Sequence, residues 1–319
     1  MMKYVKEIGI SEIEGYSFGN AEYEEAATGC TVILTGEGAV CAVDVRGGAP
    51  ASREHALLNP LADNSCVNAV VLSGGSAFGL DASRGVMNYL EERNTGFATA
   101  YGVVPIVCSS CLFDLGLVRS DIRPDAALGY QACLNAENPS LFKGGSYGAG
   151  CGATVGKFLG PEHSMKSGLG IYAVQLGSLK VGAIVAVNAA GDIYDENTGK
   201  VLAGVVERET GEFLHAEECL YAASEKRDLF NQNTTIGAII TNGKFTKTEL
   251  TKIAGMAHNG YARAIRPVHT MFDGDSIYAL GNGKVSADLN TAGTLAADVM
   301  AEAIRRAAVI HGHDYGLGL

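Results

Sequence analysis

The chain is short of positive charge. Its 24 lysines and arginines stand against 35 aspartates and glutamates, a formal net charge of −11 over 319 residues. No run of basic residues offers a local exception, so neither a nucleic-acid backbone nor an anionic membrane is expected as a partner. Long apolar runs are also missing. None approaches the ~20 residues needed to cross a bilayer, and the opening MMKYVKEIGI has no apolar core of signal-peptide length. A soluble, cytoplasmic protein is expected. Several site signatures are absent too. There is no G-x-S-x-G elbow. The glycine-rich GGSYGAGCGATVGK at 144–157 is not a phosphate loop, because Gly156-Lys157 is followed by Phe158. Its G-x-G-x-x-A match at 148–153 has no clear strand before it, which argues against dinucleotide binding. Of eight cysteines, only Cys108 and Cys111 have C-x-x-C spacing. With no second pair and no nearby histidine, they read as buried thiols rather than a zinc or redox site. No cofactor is expected.

What is present is apolar and rich in glycine. A hydrophobic share of 47% allows a real core, and 42 glycines, about 13% against a typical ~7%, imply tight turns and close backbone packing. TVILT (31–35) and AVCAVDV (39–45) read as strands joined by a hairpin at 36–39. VNAVVL (67–72) reads as a buried strand running into a helix through Ser73-Gly74-Gly75-Ser76, and VVPIV (103–107) as a short strand. GIYAVQL (170–176) and LKVGAIVAV (179–187) form a second expected hairpin, turning at Gly177-Ser178. Thr246 and Glu249 have capping-box spacing, and the helix they open carries Leu250, Ile253, Ala254, Ala257 and Tyr261 on one face. SIYAL (276–280) returns to strand. A last helix turns Leu295, Val299, Met300, Ala303, Ile304 and Ala307 inward. With no low-complexity linker and no repeat, one compact α+β domain of sheets covered by helices is expected.

The polar candidates each have a bland reading beside a chemical one. In NQNTTIGAIITNG (231–243) a turn-like polar run meets an apolar strand. It is an ordinary turn, an N-x-[ST] glycosylation acceptor at Asn233, or a bond the chain cuts in itself; a cytoplasmic location disfavours the second. Lys157 is either a surface lysine after a turn or a cation amid closely packed backbone. Asn188, at the end of its strand, either caps a turn or donates to a developing oxyanion. Asp273-Gly274-Asp275 is a turn, half a calcium loop without the remaining ligands, or a pair of acids that share a proton and orient a nearby amine or hydroxyl. Ser76 sits at a strand-to-helix turn, where it packs or binds backbone.

Taken together, four segments carry a resemblance. DVRGGAP (44–50), VLSGGSAFGLDASRGVMNYLEERNTGF (71–97), NTTIGAIITN (233–242) and ARAIRPVHTMFDGDSIYAL (262–280) closely resemble the L-aminopeptidase/D-esterase family, which includes β-aminopeptidases and 6-aminohexanoate-oligomer (nylon-oligomer) hydrolases. The likeness runs from about residue 10 to 310. It implies a four-layer αββα sandwich similar to N-terminal-nucleophile hydrolases, and commonly a tetramer. It also implies a precursor cut once, before a Ser or Thr. Here that bond is Asn233–Thr234, leaving chains 1–233 and 234–319 with Thr234 as a new N-terminus. A free α-amine, with a pKa of about 7.7–8.0, then serves as base for the hydroxyl of the same residue. By the same resemblance Asp275 orients the nucleophile, Asp273 supports it, Lys157 lowers nearby pKa values or stabilises negative charge, and Asn188 completes the oxyanion site. Thr with Asp-Gly-Asp looks more like the nylon-oligomer branch than the Ser peptidases. One departure is Phe113, where related sequences often carry Tyr; Tyr147 is the candidate to supply the missing hydroxyl. The expected function is a self-processing hydrolase of short linear amides or peptides. The alternatives are a general aminopeptidase or D-amidase, and a non-processing relative that binds a small metabolite.

Overall fold

The computed structural model describes residues 4–64, 66–223 and 233–309; Asn231 and Gln232 of the polar run lie outside them. Ten strands share one branched sheet: β1 Lys6–Ile8, β2 Ser17–Tyr23, β3 Thr28–Val45, β4 Ala51–Arg53, β5 Val67–Ser73, β6 Val107–Cys111, β7 Leu169–Leu176, β8 Leu179–Asn188, β9 Thr234–Gly243 and β10 Ser276–Val285. Their order is β1-β7-β8-β9-β10-β3-β5-β6-β4, with β2 also on β3. The helices are α1 Ala82–Glu92, α2 Ala126–Asn135, α3 Ala216–Ala222, α4 Lys247–Ala264 and α5 Leu289–Val309.

The hairpin expected at 36–39 is not there. β3 runs through it as one 18-residue strand. Gly36 at φ +57 and Gly38 at φ +104 take up an irregularity where the pairing with β5 shifts register between Leu34 and Ala39. Such a bulge bends a strand without ending it. The first half of β3 pairs with β2 and β5, the second half with β10. One strand therefore serves two sheet layers. VVPIV is also divided: 102–104 pairs with 97–99, and β6 begins at Val107, beyond Pro105. The hairpin of β7 and β8 forms as expected, as do the Thr246–Glu249 capping box and the buried faces of α4 and α5.

Side-chain alternation then builds the layers. In β9, Ile236, Ala238 and Ile240 enter a core shared with Val70, Leu72 and Tyr278. Ile239 points the other way, into the core formed with α4 and α5. In β5, Ala69 and Val71 face away from the central core and pack under α1 and α2. The stack is helices, sheet, sheet, helices: the expected four-layer αββα sandwich. Its register also fixes the site. The last residue of β8, Asn188, pairs with the first of β9, Thr234, and the head of β10 lies alongside, with Ser276 opposite Ile236.

Candidate active site

Thr234 opens β9 and is buried, as are Asn233, Asn188, Asp273 and Asp275. Its hydroxyl donates to the carbonyl oxygen of Asn233, across the peptide bond that joins them. The Gly274 N–H donates to the same hydroxyl oxygen at 3.1 Å. Gly274 has to be small: a Cβ there would lie 2.7 Å from Thr234 Oγ1. The Asn233 side chain is buried with neither amide atom partnered among the described residues, and at 2% exposure it is no acceptor for a bulky glycan.

The two carboxylates flank this point from the loop before β10. Asp275 Oδ1 accepts the N–H of Thr235 at 2.8 Å, and Oδ2 accepts from His269, from its backbone N–H at 3.1 Å and its ring Nδ1 at 2.8 Å. Asp273 Oδ2 accepts the N–H and hydroxyl of Thr270 at 2.8 and 2.6 Å. Burial, and next the charge of Asp275, push the Asp273 carboxyl up to about 6. Both acids are thus committed to local donors rather than splayed as a cation cage, and no group of three or more His, Cys, Asp and Glu able to hold a metal occurs among the described residues.

Lys157 is not a surface lysine. Its ammonium turns inward to the backbone oxygen of Asn188 at 3.1 Å and to that residue's Oδ1. Burial lowers its pKa to about 7, against the opposing pull of Asp273 and Asp114. The glycines before it permit this approach: a Cβ on Gly156 would strike Gly204 and Val205 backbone. Asn188 itself is bound on both sides of its amide. Its Nδ2 donates to the Phe113 carbonyl at 2.8 Å, and its Oδ1 also accepts the Thr154 N–H at 3.1 Å. In this structure the amide oxygen holds Lys157 and its surroundings, and Phe113 takes one of the two Nδ2 hydrogens.

A pocket of about 180 Å³ opens beside the Asn233–Thr234 bond, lined by Phe113, Asp114, Leu117, Lys157, Pro161 and Asn233 among others. Phe113, where related sequences often carry Tyr, is on its wall. Tyr147 does not line it; its ring lies 5.5 Å from Lys143 Nζ. Cys108 and Cys111 are both buried in β6, and at i and i+3 of a strand they face opposite sides. Ser76 donates its backbone N–H to Leu112 O at 2.9 Å. Sequence reasoning gave no role to His269, Gly274 or Asp114. Only Gly274 had a signal, a glycine wedged between two acids.

This fold and this sequence have relatives. The chain superposes on the L-aminopeptidase D-Ala-esterase/amidase of Ochrobactrum anthropi, described as a variant of the Ntn hydrolase fold, with a TM-score of 0.68 over 94% of this chain and 85% of that one, at 18% identity. It superposes on a Burkholderia sp. β-aminopeptidase with a TM-score of 0.67 over the same shares, at 17% identity. The architecture is therefore that of an Ntn hydrolase. The model of peptidase family S58 matches residues 9–313, and the chain belongs to that family; it is a hydrolase of amide bonds. An uncharacterized aminopeptidase of Mycobacterium tuberculosis is 41% identical over 270 residues, 82% of this chain and 75% of its own length. A 6-aminohexanoate-oligomer endohydrolase of Kocuria sp. is 34% identical over 316 residues, 93% of this chain and 85% of its own.

Proposed function

We propose that the chain cuts itself once, between Asn233 and Thr234, and that Thr234 then acts as the N-terminal nucleophile of a hydrolase for short linear amides of the 6-aminohexanoate-oligomer type. The observation that carries this reading is the Thr234 hydroxyl resting on the carbonyl of the preceding residue, with Gly274 N–H on the same oxygen. In the self-cleavage, Oγ1 adds to the Asn233 carbonyl carbon and its proton passes to a base. Lys157, part neutral near pH 7 and sharing a pocket with Asn233, suits that task. The C–N bond breaks, the Thr234 nitrogen takes up a proton and leaves as an amine, and an ester remains. Water hydrolyses it, leaving a carboxylate on Asn233 and a free hydroxyl and α-amine on Thr234.

In turnover the α-amine takes the hydroxyl proton as Oγ1 attacks the substrate carbonyl. Asp273 and Asp275 would supply negative charge to the resulting ammonium; the bond from Thr235 N–H to Asp275, at the head of β9, supports that role. Relatives named aminopeptidases, at 39–41% identity, support a second reading: removal of single residues from a free amino end. Oligomers with a blocked amino end separate the two, because an exo-acting aminopeptidase leaves them intact.

The test of self-cleavage is the intact mass of the purified wild type beside Thr234→Ala. Expected are pieces of about 24 and about 9 kDa, the shares of 33.1 kDa carried by 1–233 and 234–319, with the variant whole. A wild-type chain that stays whole on incubation sinks the nucleophile reading and favours a non-processing binder.

A further inference from the structure

Asp275 has a partner that the chemistry above leaves unused. His269 reaches its Oδ2 twice, by backbone N–H and by ring Nδ1. It does so from φ +60, a left-handed conformation uncommon for residues with a side chain. The ring is held from two further sides. It stacks on Tyr261, with centroids 5.8 Å apart and planes 24° apart, and meets His258 edge-on at 4.7 Å and 75°. Tyr261 in turn donates its hydroxyl to the Thr235 carbonyl at 3.2 Å. Thr235 is the residue whose N–H binds Asp275. The aromatic cluster and the carboxylate therefore grip the residue after Thr234 from its two backbone ends.

The tautomers follow from the partners. His258, fully buried in α4, has Nε2 3.1 Å from the Asp44 carbonyl and 3.3 Å from Asp44 Oδ1. Carbonyl and carboxylate only accept, so His258 carries its proton on Nε2. By the same rule His269 carries one on Nδ1. The opposite nitrogens, His258 Nδ1 and His269 Nε2, are buried and have no partner among the described residues. Burial drives the His258 pKa down to about 4, so that ring stays neutral beside its neighbour.

We propose that His269 is a positioning residue: its Nδ1–H, fixed by the Tyr261 and His258 rings behind it, holds the Asp275 side chain in place at the head of β9. This rests on the reading of Thr234 as nucleophile. The titratable groups that face His269 are Asp275, His258 and Tyr261. Beyond His258 lies Asp44, paired with Arg46 at 3.0 Å. Beyond Asp275 lie Asp273 and then Lys157, the two groups coupled through their charges.

The experiment follows the rate at which the two fragments appear, from pH 5 to 9. His269→Ala is expected to slow it by about tenfold to a hundredfold across that range. His269→Asn keeps an N–H in the Nδ1 position and tolerates a positive φ, so it should stay within about threefold of wild type. If the ring only fills space, His269→Asn, which keeps the N–H and loses the ring, will cleave as slowly per folded molecule as His269→Ala; that result overturns the proposal. A second measurement does not depend on processing. In the Thr234→Ala chain, 15N NMR of the imidazoles should find the His269 proton on Nδ1. A proton on Nε2 alone overturns the proposal whether or not the wild type cleaves. A wild type that never cleaves sinks the nucleophile reading instead, and leaves the tautomer to decide whether His269 holds Asp275.

Discussion

Lys157 and Lys166 lie nine residues apart, and both carry a buried ammonium. Lys166 Nζ is enclosed by the backbone carbonyls of Gly150 at 3.0 Å, Ala153 at 3.2 Å and Ser167 at 2.5 Å. It forms no ion pair among the described residues. An ammonium has three donors, and here each is spent on a backbone carbonyl; those of Gly150 and Ala153 also accept a backbone N–H, from Ala153 and Ser167. Lys157 is tied to Asn188 instead, faces Asp273 and Asp114, and lines the pocket beside the Asn233–Thr234 bond. Burial lowers both pKa values, to about 8 for Lys166 and about 7 for Lys157. A perturbed pKa alone therefore does not separate them. The partners do: a cation surrounded by neutral carbonyls is a brace, and one set between acids at a pocket wall can exchange protons with what enters.

The largest effect that can break this distinction is on self-cleavage. Lys157→Met keeps the stem and removes the amine, and should slow the appearance of fragments by about 10²–10³, the usual cost of losing one charge-handling group at a reacting centre. Its thermal midpoint should change little. With the lysine present, the rate should climb as pH rises through 6 to 7, where Asp273 becomes ionised and Lys157 becomes neutral. A variant that cleaves at the wild-type rate with the same pH profile would return Lys157 to the status of a brace.

Next in size is Lys166→Met. The carbonyls of Gly150 and Ala153 keep a backbone N–H and that of Ser167 loses its ammonium donor, so a loss of about 1–3 kcal/mol in unfolding free energy is expected from urea denaturation. Cleavage per folded molecule should be nearly unchanged. If Lys166→Met folds normally and fails to cleave, the two lysines have the opposite roles.

Neither lysine's role is written in its local sequence. Lys157 follows a glycine and Lys166 precedes Ser167-Gly168, and both contexts read as loop. Their partners come from residues such as Asn188, 31 positions away, through a register that periodicity cannot supply. The elements themselves were more legible. The two apolar runs in 170–187 with their turn at Gly177-Ser178, and the Thr246–Glu249 cap, act within a few residues, and both appear as read. The long strand β3 was not legible, because Gly-Glu-Gly serves a hairpin and a bulge equally well, and the choice is made by β10, more than 200 residues on. In the site, Thr234 and the two acids were visible as motifs. His269 was quoted with them and given no task, since its hold on Asp275 depends on a backbone φ that no residue type declares. The partners of Asn188 were not legible either: one N–H serves Phe113, and its acceptor serves Lys157.

The smallest effect is also the one that compares the lysines on a single scale. Each folded-state pKa is depressed, so between the folded value and the ordinary 10.5 the unfolded chain binds a proton that the folded chain does not. Stability from these groups therefore rises with pH across that window and falls as pH drops through the folded value. The window runs from about 8 to 10.5 for Lys166 and from about 7 to 10.5 for Lys157. Buried cysteines such as Cys108, pushed up to about 12, act in the opposite sense above their ordinary value of 9.0. The useful quantity is thus the difference between variant and wild type, in which the cysteines cancel. Urea midpoints at pH 7, 8 and 9 should show the wild type gaining on Lys157→Met from pH 7 upward, and on Lys166→Met mainly from pH 8. A difference that stays flat for Lys166 would mean that three carbonyls compensate its ammonium as well as water does, so that it stays charged when buried. The contrast with Lys157 would then be one of proton affinity as well as of partners.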